Sequence, residues 1–228
     1  MIEKIENKDI LSKIDRFLKS SGTIFMDKQF DSLCKIHNPF GFVENGKIEE
    51  LEDSKPDLII ELNWKDFCDK FYLDLTIDSG TSIEKIHKVY RDRHGEQEFN
   101  NFYWTSGSLG RKQVDKTVEL LNERFITDSF YCFFSLIANL HLENPEDKIY
   151  LTDFSGLKQL IENKKTFTPT IWWDKKTKWL VYTDSDLTSS YIFSDKGLIE
   201  TIIKDSELES YKLDIKNYSK DFDKNILK

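Results

Sequence analysis

Apolar residues recur along this chain at two spacings, and the switch between them marks out its elements. Ile10, Leu11, Ile14, Phe17 and Leu18 fall on one helical stripe, with Asp9 placed to cap it and Gly22 to end it, predicting a helix over residues 9–21. Phe30, Leu33, Cys34 and Ile36 continue that spacing and predict a second helix after Asp27. Asn45-Gly46 is a hairpin dipeptide and places a β-hairpin near 42–52. Residues 57–62 read as a strand, and Asn63 as the cap of a short helix carrying Trp64, Phe67, Cys68 and Phe71. Ser82 opens a helix that buries Ile83, Ile86, Val89 and Tyr90 and stops at Gly95. After an irregular or extended stretch, residues 109–125 form another amphipathic helix through Val114, Val118, Leu121 and Phe125. The apolar run Phe130–Leu142, behind Asp128 and before Pro145, predicts a buried helix.

Beyond Pro145 the period shortens to two. "KIYLTD", residues 170–174, residues 178–184, "SSYIF" and "YKLDI" read as strands. Two helices interrupt them, one capped by Ser155 with Leu157, Leu160 and Ile161, the other by Ser194 with Leu198, Ile199, Ile202 and Ile203. Ile171 and Trp173 point to one side of their strand, Trp172 and Asp174 to the other; Trp179, Val181 and Thr183 alternate with Leu180 and Tyr182. A strand apolar on both sides is a central one, covered on both faces. The fold class is therefore α+β. A helix-rich N-terminal part (1–144) packs on a C-terminal mixed or antiparallel sheet with two helices (146–216), followed by a polar tail (217–228), and the whole is compatible with one compact domain.

Composition sharpens this picture. With 228 residues and 14% aromatics the chain can bury a full core without disulfides or a structural metal. Cys34, Cys68 and Cys132 show no CxxC spacing, which points to free thiols in a reducing compartment. The start interleaves Glu and Lys with apolar residues, unlike a signal peptide, and the longest apolar stretch is about a dozen residues, too short for a membrane helix. A cytoplasmic protein with no membrane association is expected. The formal net charge is −8, and residues 44–78 hold eleven acids and four Lys, against eight bases and six acids in 85–124. That balance disfavours nucleic acid and favours a basic protein partner.

Candidate chemistry is sparse. Of four histidines only His87 and His94 are close, and seven residues on a helix set them about 10 Å apart, too far to share one ion. No metal or cofactor is expected. "PDLIIELNWK" resembles the Pro-Asp…Glu-x-Lys pattern of restriction-type nucleases, but Asn63 stands where the Lys is needed. "SGSLGRKQV" is similar to a phosphate-cradling turn or the GxxG loop of a KH module, without the P-loop ending. Asp184 and Asp186 end a strand in a Ser/Thr-rich loop, and with Asp153 near one sheet edge they are the acids a hydrolase-type enzyme would use.

In general character, an acidic, aromatic-rich chain without cofactor motifs, the protein resembles the immunity proteins that neutralise toxins in bacterial competition systems. No shared motif carries the resemblance. It implies a non-enzymatic protein that binds and blocks a cognate basic toxin domain, with Glu44, Glu49, Glu50, Glu52, Asp53 and Asp57 as the steering patch. A regulatory or scaffold protein is the remaining alternative.

Overall fold

The computed structural model describes residues 1–19, 24–42, 59–95, 102–104, 107–135, 147–164, 168–183, 187–216 and 218. The chain begins with strand β1 (Ile2–Ile5), helix α1 (Lys8–Lys19) and the small hairpin β2 (Ile24–Phe25) and β3 (Lys28–Gln29). Then come β4 (Ser32–His37), β5 (Phe40–Phe42), β6 (Ile60–Leu62), α2 (Trp64–Lys70), α3 (Ile83–His94) and β7 (Phe102–Trp104). The remainder is α4 (Arg111–Arg124), β8 (Phe130–Phe134), β9 (Lys148–Thr152), α5 (Phe154–Lys164), β10 (Ile171–Asp174), β11 (Leu180–Tyr182), β12 (Ser189–Ser194), α6 (Lys196–Lys204) and β13 (Ser210–Leu213).

Eight strands form one sheet in the order β1-β9-β8-β10-β11-β12-β4-β13, and every neighbouring pair is antiparallel. The α+β class holds. The sheet draws β1, β4 and β8 from the first 144 residues and the other strands from beyond them. Its two faces carry separate cores, as the double-sided strand pattern predicts. Trp172, Trp179, Val181, Cys132 and Ile192 pack under α4, α5 and α6. Ile171, Trp173, Leu180, Tyr182 and Phe193 pack against Ile14 and Phe17 of α1 with Phe25, Phe30 and Tyr218. β10 is thus wholly buried, with Trp172 and Trp179 ring centroids 5.8 Å apart, edge to face.

A smaller three-stranded sheet, β6-β5-β7, packs with α2 and α3 around a third core of Phe40, Trp64, Phe67, Ile86 and Tyr90. Both helices form where expected: at α3 Ser82 accepts the Lys85 amide at 3.3 Å and Gly95 ends the helix at φ 79°, whereas at α2 the Asn63 side chain makes no cap bond.

Two predicted helices are strands. The segment after Asp27 forms β3 and β4, where Leu33 faces one core and Cys34 and Ile36 the other. Those apolar positions satisfy both periods, and pairing with β12 and β13 on either side selects the strand. Phe130–Phe134 forms β8 between β9 and β10, with Cys132 and Phe134 on one face and Phe133 on the other. A short aromatic run has no period of its own, and the partners decide it. Residues 136–142 of that predicted helix, the Asn45-Gly46 hairpin, and all of the 217–228 tail but Tyr218 lie outside the described residues. Caps shift by one or two positions. Asp153, not Ser155, accepts the Gly156 amide of α5 at 2.7 Å, and Asp195, not Ser194, caps α6 through the Leu198 amide at 2.9 Å. No helix among the described residues is long and apolar enough to cross a membrane.

Candidate functional site

Among the described residues, a dense buried polar arrangement lies at one end of the large sheet, where β4 ends and β12 begins. His37, the last residue of β4, is fully buried. Its Nε2 lies 3.1 Å from the main-chain carbonyl of Asp78, which can only accept, so Nε2 carries the proton. Nδ1, 3.1 Å from Ser189 Oγ, is then the acceptor for that hydroxyl. Trp64 of α2 stacks on the ring at 3.8 Å with planes 11° apart, and the Tyr211 ring of β13 closes a third side at 5.2 Å. The next residue extends the network. Asn38 Oδ1 accepts from Ser190 Oγ at 2.7 Å, and Ser190 in turn accepts from Thr183 at 2.6 Å. The Trp64 indole donates to the Asn38 carbonyl at 2.7 Å, and Gln113 of α4 donates to the His37 carbonyl at 2.8 Å. Glu209 takes the Trp64 amide at 2.7 Å, supplying from afar the α2 cap that Asn63 does not make.

Burial dominates the electrostatics. It depresses the His37 imidazole to about 3, with the positive charges of Lys35 and Lys65 adding to the effect. Burial also lifts the Glu209 carboxyl above its ordinary range, against the Trp64 amide that steadies its anion. It raises the Tyr211 phenol as well, with the Glu209 carboxylate adding to the rise. A serine hydroxyl bonded to an imidazole is the beginning of a nucleophile–base pair. Here both members are sealed, Ser189 at 3% exposure and His37 at 0%, and so weak a base draws little proton from a hydroxyl at neutral pH. The arrangement joins four elements, β4, β12, α2 and β13, around one ring.

The acids singled out from the sequence fall in different places. Asp153 bonds the Met1 amino group at 2.8 Å and the Gly156 amide, and the former contact holds its carboxyl below the usual carboxylate range. Asp184 and Asp186 lie outside the described residues, as do Glu44, Glu49, Glu50, Glu52, Asp53 and Asp57. The register does place Thr183, the residue before Asp184 in sequence. It sits beside Thr170, whereas Thr152, next to Asp153, aligns with Phe130 and through it with Asp174 at the other end of the sheet. Asp153 and Thr183 therefore occupy opposite sheet ends.

The nuclease-like and phosphate-loop motifs meet. Glu61 of β6 accepts the Arg111 amide at 2.7 Å and the Lys112 amide at 3.3 Å, so this carboxylate fills the α4 N-terminus. Gly110 makes room for it: a Cβ there would stand 2.6 Å from Glu61 Oε2 and from Pro39. No group of three or more His, Cys, Asp or Glu able to hold a metal occurs among the described residues.

A feature absent from the sequence reading lies where α2 ends. The Tyr72 amide donates to Asp69 O at 3.1 Å and the Leu73 amide to Cys68 O at 2.8 Å, the bond pair of a Schellman termination. Its left-handed residue is Tyr72, at φ 53° where glycine is usual, and its side chain is 74% exposed. The Arg93 guanidinium of α3 lies 6.0 Å from the ring centroid. Asp66, Asp69, Asp74 and Asp78, all exposed, flank it in sequence. Comparison with protein-family models, curated proteins and solved structures finds no match.

Proposed function

We propose that this chain is a non-enzymatic binding protein that captures a basic protein partner, and that the partner is a toxin it neutralises. The observation that carries the reading is Tyr72. An exposed aromatic held in a left-handed conformation costs stability that glycine would not, and such outliers persist where they serve a purpose. Tyr is among the residues that dominate interface energetics, and although Arg93 lies beside this ring, the surrounding segment 44–78 holds eleven acids against four Lys, a balance suited to a basic partner. The net charge of −8 extends the same preference over longer range.

The test is co-expression with the product of the neighbouring open reading frame. That product is expected to arrest growth alone and to be tolerated with this chain, and the two are expected to co-purify. Tyr72→Ala is expected to weaken the complex at least tenfold, about 1.4 kcal/mol or more for an anchor residue. A neighbour that is harmless alone, or a toxic one that this chain neither binds nor neutralises, would refute the reading.

A further inference from the structure

We propose that His37 is an acid-operated latch: the ring takes up a proton only when α2 and the loop behind it separate from the end of the large sheet, so acidification opens this joint before the sheet itself unfolds. The closed form disfavours the cation, because the ring is fully buried and both of its bonded partners are neutral. Nε2 already donates to the Asp78 carbonyl, and the Nδ1 partner is a neutral hydroxyl. Among the described residues no carboxylate bonds the ring; the Asp78 charge favours the cation, but less than burial opposes it. Lys35 on its own strand and Lys65 on α2 are cations that oppose protonation. The Asp78 carboxylate is engaged by the Thr81 hydroxyl at 3.0 Å and the Gly80 amide at 2.9 Å. Glu209 is committed to the Trp64 amide, and the Tyr211 hydroxyl donates to the Ile77 carbonyl at 3.1 Å. From α4 and β12 come only the neutral Gln113 and Ser189. A proton added at Nδ1 would sit in a fully enclosed site.

The linkage has a definite sign. The closed-state value of about 3 lies below the ordinary 6.5, so the closed form excludes a proton that the open form accepts. The latch contribution is complete above pH 6.5 and is lost as pH falls toward 3, with the opening equilibrium growing about tenfold per pH unit. Glu209 works the other way. Its raised value favours the closed form as pH falls from that value to the ordinary 4.5, and Glu209→Gln removes this opposition while keeping an acceptor for Trp64.

Hydrogen exchange of the Glu209→Gln chain between pH 6.5 and 5.5, corrected for intrinsic rates, tests the latch. Amides of α2 and residues 73–82 are expected to lose protection about fivefold, since the open-state ring is already half protonated at pH 6.5, while β10, β11 and β12 keep theirs. His37→Gln is expected to flatten that dependence. Pairing with the wild-type chain, whose His37 ring is followed by nitrogen NMR, covers the case in which a variant fails to fold. The neutral Nε2–H form is expected to persist in the closed state at pH 5.5. A ring that titrates near 6.5 while α2 stays protected, protection that does not change with pH, or an equal loss in the central strands would overturn the proposal.

Discussion

Tyr72 and the tryptophans of β10 and β11 represent opposite uses of an aromatic side chain. Tyr72→Gly relieves a left-handed strain and is expected to raise stability by about 0.5–1 kcal/mol while abolishing partner capture. Urea unfolding set beside a binding assay checks both halves, and a loss of stability would remove the argument from strain. Trp173 and Trp179 are fully enclosed on opposite faces of the sheet, so truncating either to Ala is expected to cost about 3–5 kcal/mol. Retained stability with lost binding would mean that these rings are recognition surface. That they are core was legible in the alternation of residues 171–182. Tyr72 was not legible, because nothing in "KFYLDL" shows where the helix turns left-handed.

At the scale of elements, α2, α3 and α4 could be read because each carries a single apolar stripe, to which α3 adds its own cap and stop in Ser82 and Gly95. β4 and β8 could not, because their identity lies in partners far along the chain rather than in their own residues. The candidate site follows the same rule. His37 and Ser189 lie 152 positions apart, and only the β4–β12 register brings them together. Glu61 is a further case, since the anion that completes α4 belongs to β6. Glu61→Ala is expected to destabilise the protein by about 1 kcal/mol, the usual worth of a lost cap, and to reduce exchange protection first in the opening turn of α4. Gly110→Ala is expected to cost about 1–3 kcal/mol by driving a methyl group into Glu61 and Pro39. If both variants keep wild-type stability, the helix does not depend on this carboxylate.

Over the whole molecule, charge is the property most open to a graded test. Neutralising Glu49, Glu50, Glu52 and Asp53 together lowers the acidic charge of the 44–78 segment. Association with the identified partner is expected to slow at low salt and to lose most of its salt dependence, since screening acts over about 8–10 Å. Stopped-flow rates across a salt series decide this, and unchanged rates at every ionic strength would make the segment a solubilising stretch only.

The position of β4 also governs how the protein comes into being. Its two neighbours in the sheet, β12 and β13, are synthesised more than 150 residues after it, and β1 likewise waits for β9. A ribosome adding about 5–20 residues per second leaves β4 without its native partners for roughly ten seconds or more. During that time a strand carrying Leu33, Cys34 and Ile36 remains open to wrong pairings, and closure of such distant contacts is itself slow. The interval before β12 and β13 emerge is thus when this strand is most exposed to misfolding.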